Sequence, residues 1–482
     1  MRQSLFATVA ALLLLASLVG GCKEDVVAGE AHLRFSVDTV SFDTLFSGIG
    51  STTAWVIIYN TDDRPAHIDN VNLLSGGTTG FRFNLDGDPG PSLSNIRIPA
   101  GDSLFLFVEL TSTEQGHPQP VYLEDALVFT SGANVQTLHL DAWSWDAIRW
   151  NGKTILADTT LTGSRPIVLY DSLVVAENVT LSLQEGTTLY MHDGARVLVY
   201  GRLDARGSLE NPVTFRGDRL DEVFIGLPYA YYPGQWYYIQ LKATSFDNVL
   251  DHVRISGGYY GLVADSSSTD RLKVSLTNSV LHNHVYNSLF SVCNKLEVAN
   301  SLLSNSGEYT VFLLGGEARF THCTLVNHIN LITREGPTLV LANALLDANE
   351  QEVHYPLQAT FRNCLITGSQ VEEIGFAFTE NKAVSADVLF SHSLLRSTNL
   401  PIPRRDSCLR TAATARFLSL GEDFNQNVYD FRIDSLSLAR NLGSRSVALE
   451  YPFDLAGRSR LADEAPDAGA YEAAGKPILP LE

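Results

Sequence analysis

Beyond residue 18 the sequence has no apolar run long enough to cross a bilayer as a helix, and no stretch with convincing helical periodicity. Basic residues are scarce. Thirty-four Lys and Arg stand against 54 Asp and Glu, a formal charge of −20 that repels phosphate backbones and anionic lipid surfaces, so nucleic acid is excluded as a partner. Cysteine is sparse too. After Cys22 only Cys293, Cys323, Cys364 and Cys408 follow, without the CxxC or CxH spacing of a zinc site, and they read as free buried thiols. No metal or cofactor is expected.

At the N-terminus Arg2 precedes an apolar run from Leu5 to Leu18 and then Val19-Gly20-Gly21-Cys22, the order of a secretory signal. Small residues before a cysteine resemble the lipobox of bacterial lipoproteins. The resemblance implies a signal peptide over 1–21, lipid on Cys22, a membrane partner through that anchor, and an acidic tether over 22–32. Lys23-Glu24-Asp25 is similar to the tag on Gram-negative lipoproteins displayed outside the outer membrane, so an outer-membrane location facing the cell exterior is expected. Removing 21 of 482 residues leaves 461, enough for two or three domains.

From 33 to 146, β-rich runs such as Ala54–Tyr59, Leu104–Val108 and Thr137–Leu140 alternate with Gly, Pro, Asn and Asp turns, predicting a small antiparallel β-sandwich of roughly seven strands. Ser36-Val37-Asp38, Phe42-Asp43-Thr44 and Tyr59-Asn60-Thr61 resemble the immunoglobulin-like modules of surface lipoproteins. Asn84, Asp86 and Asp88 have the odd-position spacing of a calcium loop, but Pro89 and Asn95 break the pattern and a polar turn is expected.

From 150 to 475 the texture is all-β with a repeat. His252, Asn278, Asn300, His322, Asn343, Asn363 and His392 recur at spacings of 26, 22, 22, 21, 20 and 29. Two residues before each marker stands Leu250, Leu276, Val298, Phe320, Leu341, Phe361 or Phe390, read as inward strand positions. The marker shares that parity and is expected to point inward at a corner, forming a structural Asn/His ladder. Asn283, Asn305 and Asn327 form a shorter second column. The segments Leu183–Leu189, Val197–Gly207 and Asn211–Phe215 resemble the opening coils of right-handed parallel β-helix proteins. Asp454–Gly457 and Pro466–Glu472 are similar to the phrase that caps them C-terminally. That fold serves lyases, hydrolases, adhesins and scaffolds, so it does not name a function.

On the face read as outward, Lys295 lies beside Glu317 and Glu297 beside Arg319, cross-strand ion pairs rather than catalytic carboxylates. Lys273 is placed on the same face, His282, His284 and His328 on surface loops, and Cys323 and Cys364 two coils apart, beyond bridging reach. No catalytic residue is assigned. The densest aromatic stretch, Tyr229, Tyr231, Tyr232, Trp236, Tyr237 and Tyr238, with Tyr259-Tyr260 one coil later, suits stacking on sugar rings. Alternatively Trp236 and several tyrosines plug the junction between the two domains. A Pro-Gly-Gln-Trp phrase resembles one recurring in β-helix lipoproteins. Two functions therefore stand: a lipid-anchored binding or scaffold module with a polysaccharide ligand, and a polysaccharide lyase or glycoside hydrolase using loop acids such as Asp204, Asp218 and Asp221.

Overall fold

The computed structural model describes residues 31–224, 227–421, 429–462 and 464–473. The signal segment 1–21, Cys22 and most of the tether therefore lie outside the described residues. No helix among the described residues is long and apolar enough to cross a membrane. Contacts divide the chain into two units, Met1–Asp146 and Ala147–Glu482.

Among the described residues the first unit holds ten strands in two five-stranded sheets, three more strands than the turn spacing suggests. One sheet is antiparallel throughout; the other is antiparallel except where Asn134–Trp145 runs parallel to Thr39–Phe46. Alternate residues of both sheets, among them Val56, Ile58, Val71, Leu106, Val108 and Leu127, meet in one apolar core. The calcium-like phrase is a hairpin turn. Asp86 and Gly87 both adopt positive φ, and the Asn84 side-chain oxygen accepts the Gly87 N–H at 2.9 Å.

The second unit is built on two large parallel sheets of 11 and 17 strands. The larger carries two series of pairings, and long strands such as Leu289–Ala299 and Val311–Thr321 belong to both, so that this sheet is nearly closed. Each turn of the repeat stacks on the last. Leu276 pairs with Val298, Val298 with Phe320, Phe320 with Phe361 and Phe361 with Phe390, and the three phenyl rings stack at 4.9 Å. Lys295 and Glu317 pair at 3.1 Å, Glu297 and Arg319 at 3.5 Å, both partly exposed and each contributing well under about 1 kcal/mol.

The markers do sit at a corner, but their side chains do not continue the inward pleat. His252, Asn278, Asn300, His322, Asn363 and His392 all have φ between 47° and 54°. Asn tolerates that left-handed region better than most residues, and one residue there breaks the alternation. The next position turns inward instead: Ser279, Ser301, Cys323, Cys364 and Ser393 are fully buried. Each marker N–H donates to the following turn, from His252 N to Thr277 O through His392 N to Asp406 O. The Asn300 amide donates to Asn278 at 2.8 Å and the Asn363 amide to His322 Nε2 at 3.0 Å.

Asn343 is not part of this ladder. Its strand, Leu339–Ala342, stays in the larger sheet, but the next, Ala344–Leu346, folds back antiparallel on Glu352–His354. Asn343 receives the Thr379 N–H at 2.8 Å instead. Leu341 consequently pairs with Leu313 and Phe376, and Phe320 meets Phe361 directly. The skipped strand also corrects the cysteines. Thr324 pairs with Leu365, so Cys323 and Cys364 immediately precede adjacent strands, both free and fully buried.

Three further placements differ. Lys273 sits at a register shift between Leu272 and Val274 and is buried, its ammonium donating to Lys242 O at 2.6 Å and lying 5.3 Å from the Phe246 ring centre; burial pushes it down to about 8. His284 is fully buried against Ser288, and His328 lies against Phe417 and Phe431 rather than on a solvated loop.

The phrase expected as a cap lies along the side of the 11-stranded sheet. Phe431, Ala470 and Tyr471 cover Leu302 and Val326, while Ile433, Ala439 and Ala468 cover Leu365 and Leu394. Arg460, fully buried, links it to the ladder: it donates to Glu472 at 2.7 Å, to Asn300 at 2.6 Å and to Ala470 O at 3.0 Å.

Candidate functional site

The corner segments that precede the larger sheet place aromatic residues one above another. Tyr259 N donates to Trp236 O, Tyr260 N to Tyr237 O, Tyr286 N to Tyr259 O and Glu308 N to Tyr286 O, all at 2.7–3.1 Å. The rings above this backbone ladder touch in sequence. Tyr237 lies 5.7 Å from Tyr259, Tyr259 6.0 Å from Tyr286, Tyr238 6.5 Å from Tyr260, and Tyr260 5.0 Å from Tyr286. Tyr260 then reaches Phe290, Phe290 stacks on its register partner Phe312 at 5.2 Å, and Tyr309 stacks on Phe312. Eight aromatic side chains thus form one strip. Tyr237 and Tyr286 are exposed, at 40% and 36%, and the other six are partly so.

The strip is polar at its edges. Glu308 stands beside it, its carboxyl raised by burial and by the neighbouring Glu335 charge; burial and Glu308 also raise the Tyr260 phenol. Tyr309 packs closely against Gly336, where an added Cβ would fall 2.3 Å from the ring, so only glycine admits it.

Of the six aromatics expected to bind sugar, only Tyr237 and Tyr238 join this strip. Trp236 does not. It is fully buried in the core of the second unit, its indole N–H donating to Ser256 O at 2.9 Å, and it forms a bridge with Gly258. It fills the interior of the repeat, because the alternation that exposes Tyr237 turns its predecessor inward. Tyr229 faces the Arg219 guanidinium, 4.3 Å from its ring centre, Tyr231 meets His282 edge-on, and Tyr232 is exposed. Trp236→Ala should therefore destabilise the protein by about 3 kcal/mol or more through the cavity left, and Tyr237→Ala by under about 1 kcal/mol. Urea midpoints separate the two; equal effects would contradict this assignment.

The members missed in the sequence, Tyr286, Phe290, Tyr309 and Phe312, carry a signal of their own. Phe290 and Phe312 are 22 residues apart, the spacing already seen in the ladder.

The three acids are each engaged, and Asp204 lies not in a loop but within the strand Arg202–Arg206. Asp204 pairs with Arg206 at 2.8 Å and Arg202 at 3.6 Å, and Asp221 with Arg219 at 2.7 Å. Asp218 accepts from His192 Nδ1 at 2.6 Å, and burial raises its carboxyl in spite of the imidazole. A cavity of about 310 Å³ lies between the ladder and the C-terminal segment, lined by His252, Asn278, Asn300, Tyr451 and Phe453 among others. Its polar floor is occupied by its own bonds: Asn278 donates to Asp251 at 2.7 Å, and Asn300 accepts from Arg460. Among the described residues no group of three or more His, Cys, Asp or Glu could hold a metal ion.

The fold and these surfaces define an all-β protein with large parallel sheets. No protein-family model matches the chain, and no curated protein matches it. Among solved structures, a family 123 glycoside hydrolase from Clostridium perfringens is similar over 26% of this chain and 29% of its own, at 9% identity and a TM-score of 0.18. The ASH/PapD-like domain of human CEP192 is similar over 26% of this chain and 93% of its own, also at 9% identity and a TM-score of 0.18. Neither likeness bears on function.

Proposed function

We propose that this chain is a bacterial surface lipoprotein, anchored through Cys22, that binds glycans along the aromatic strip of its second unit. In this reading the second unit is a right-handed parallel β-helix and the first an immunoglobulin-like sandwich. The observation that carries the binding role is the continuous row from Tyr237 to Phe312. Stacked corners repeat one side-chain position at the strand spacing of about 4.8 Å, so a surface made this way is long, and suits a polymer better than a small molecule. Tyrosine offers an apolar face to a sugar ring and a hydroxyl to its polar rim. The charge of −20 favours neutral over anionic polysaccharides.

Affinity electrophoresis in gels containing neutral polysaccharides tests this. Retardation by at least one of them is expected, weakened about tenfold or more in Kd by Tyr286→Ala combined with Tyr260→Ala, in line with the loss of two stacking contacts of about 1 kcal/mol each. No retardation by any polysaccharide would remove the glycan role. An enzymatic second reading is favoured by one observation, the hydrogen-bonded His192–Asp218 pair.

A further inference from the structure

We propose that His192, held by Asp218, is the general base of an esterase site that removes O-acyl groups from carbohydrate; the carbohydrate part rests on the glycan reading above. Tyr170, His192 and Asp218 each follow directly on a strand of the 11-stranded sheet, after Ile167–Leu169, Thr188–Met191 and Val213–Gly217. Because those strands pair in register, the three residues stand one above another, and backbone bonds from His192 N to Leu169 O and Asp218 N to Met191 O fix the column. The spacings of 22 and 26 residues are those of the repeat itself.

Each member has a different environment. The Asp218 side chain is only 9% exposed, whereas the His192 side chain is 43% exposed. The carboxylate takes Nδ1 at 2.6 Å, which leaves Nε2 as the nitrogen able to accept a proton on the accessible side. Tyr170, one strand away on the side opposite Asp218, has its ring tilted against the imidazole, ring centres 4.7 Å apart, and limits its rotation. Asp218 and Tyr170 are positioning residues and His192 the catalytic one. The loop carrying Tyr229 and Tyr231 starts beside this column, where Arg216 donates to Arg219 O at 3.0 Å and Arg219 faces Tyr229.

A base of this kind fits acyl transfer better than glycosidic cleavage. Glycoside hydrolysis needs two carboxyls acting on one bond. Here Asp218 is committed to His192, Asp221 to Arg219 and Asp204 to Arg202 and Arg206. One carboxylate-backed imidazole can instead take a proton from water while the water oxygen forms a bond to the ester carbonyl carbon. Collapse of the tetrahedral intermediate breaks the bond to the sugar oxygen, and His192 returns the proton to that oxygen. The products are a carboxylic acid and a free sugar hydroxyl, with no oxidant or second substrate required.

The test measures acetate release from O-acetylated xylan and hydrolysis of p-nitrophenyl acetate by the full chain. The expected result is activity on both, lowered about a hundredfold or more by His192→Ala and partly restored by added imidazole, with Asp218→Asn impaired and Asp218→Glu recovering part of the loss. Exposed histidines elsewhere, such as His32, His117 and His139, hydrolyse the small ester nonspecifically, so the comparison with His192→Ala is the decisive one. Wild-type rates equal to those of a folded His192→Ala protein on both esters would overturn the proposal, even where polysaccharide retention persists. Small-ester activity that depends on His192, without retention or acetate release from any polysaccharide, would keep the dyad and sink the glycan reading.

Discussion

Arg460→Ala is expected to lower stability by about 3–5 kcal/mol and to free the C-terminal cover from the sheet beneath it. The guanidinium is fully buried and serves Glu472, Asn300 and the Ala470 carbonyl at once. Removing it leaves a buried carboxylate and two acceptors without their donor, which costs far more than the net worth of the pair. The damage should be local first. Asp454, Asp467 and Glu472 organise the same segment through backbone bonds, including Glu472 N to Asp454 at 2.8 Å and Ala473 N to Asp467 at 2.6 Å. Detachment would expose Leu302, Val326 and Leu365, now covered. Urea unfolding and limited proteolysis read both effects, with cleavage expected within 429–473 before elsewhere. An unchanged midpoint with unchanged cleavage would refute the role given to Arg460.

Acidification from pH 7 to about 4.5 should also destabilise the second unit strongly. Burial holds His282 and His328 down at about 4, with nearby arginines adding to the effect, and pushes His284 and His322 well below the usual histidine range. Between about pH 6.5 and 4 the unfolded chain therefore binds more protons than the folded one, so stability falls as pH falls. His282 and His328 account for roughly 2 kcal/mol each over this interval, and His284 and His322 act in the same direction. Glu472 acts oppositely, as do Asp218, Glu308 and Asp454, whose carboxyls burial also raises. Burial raises Glu472 to about 7, so the stability it contributes is present below about pH 4.5 and is lost as pH rises through 7, offsetting about one histidine. Urea midpoints at the two pH values should show a net loss, reduced by His328→Asn and enlarged by Glu472→Gln. A midpoint that rises on acidification would contradict the buried neutral histidines.

Much of the fold was legible because a stacked repeat imposes one spacing on everything in it. The columns through Leu276, Val298 and Phe320 and the polar corners at Asn278 and Asn300 could be aligned by counting alone. Counting failed where a strand left the stack. Nothing in Ala344–Leu346 distinguishes a hairpin from a further sheet strand, yet that choice moved Asn343 out of the ladder and brought Cys323 beside Cys364. It failed also at parity, since a positive-φ corner shifts which neighbour turns inward.

The candidate site was half legible. Tyrosine density pointed to Tyr237 and Tyr238, but the same density drew in Trp236, whose ring the pleat sends to the core. Composition within one window cannot reveal that Tyr286, Phe290, Tyr309 and Phe312 extend the same strip, since they come together only across turns.

By itself the sequence determined the strand content, the repeat period and the small or polar character of each corner, because these depend on local backbone preference and on period-two burial. Tertiary structure alone decided which turns are neighbours, and hence the aromatic strip, the pairing of His192 with Asp218 and the docking of Arg460 on Asn300. Those contacts join residues 22 to 160 positions apart, and only the stacking of one turn on another, or the docking of the C-terminal segment along the sheet, brings them within hydrogen-bond or ring-contact distance.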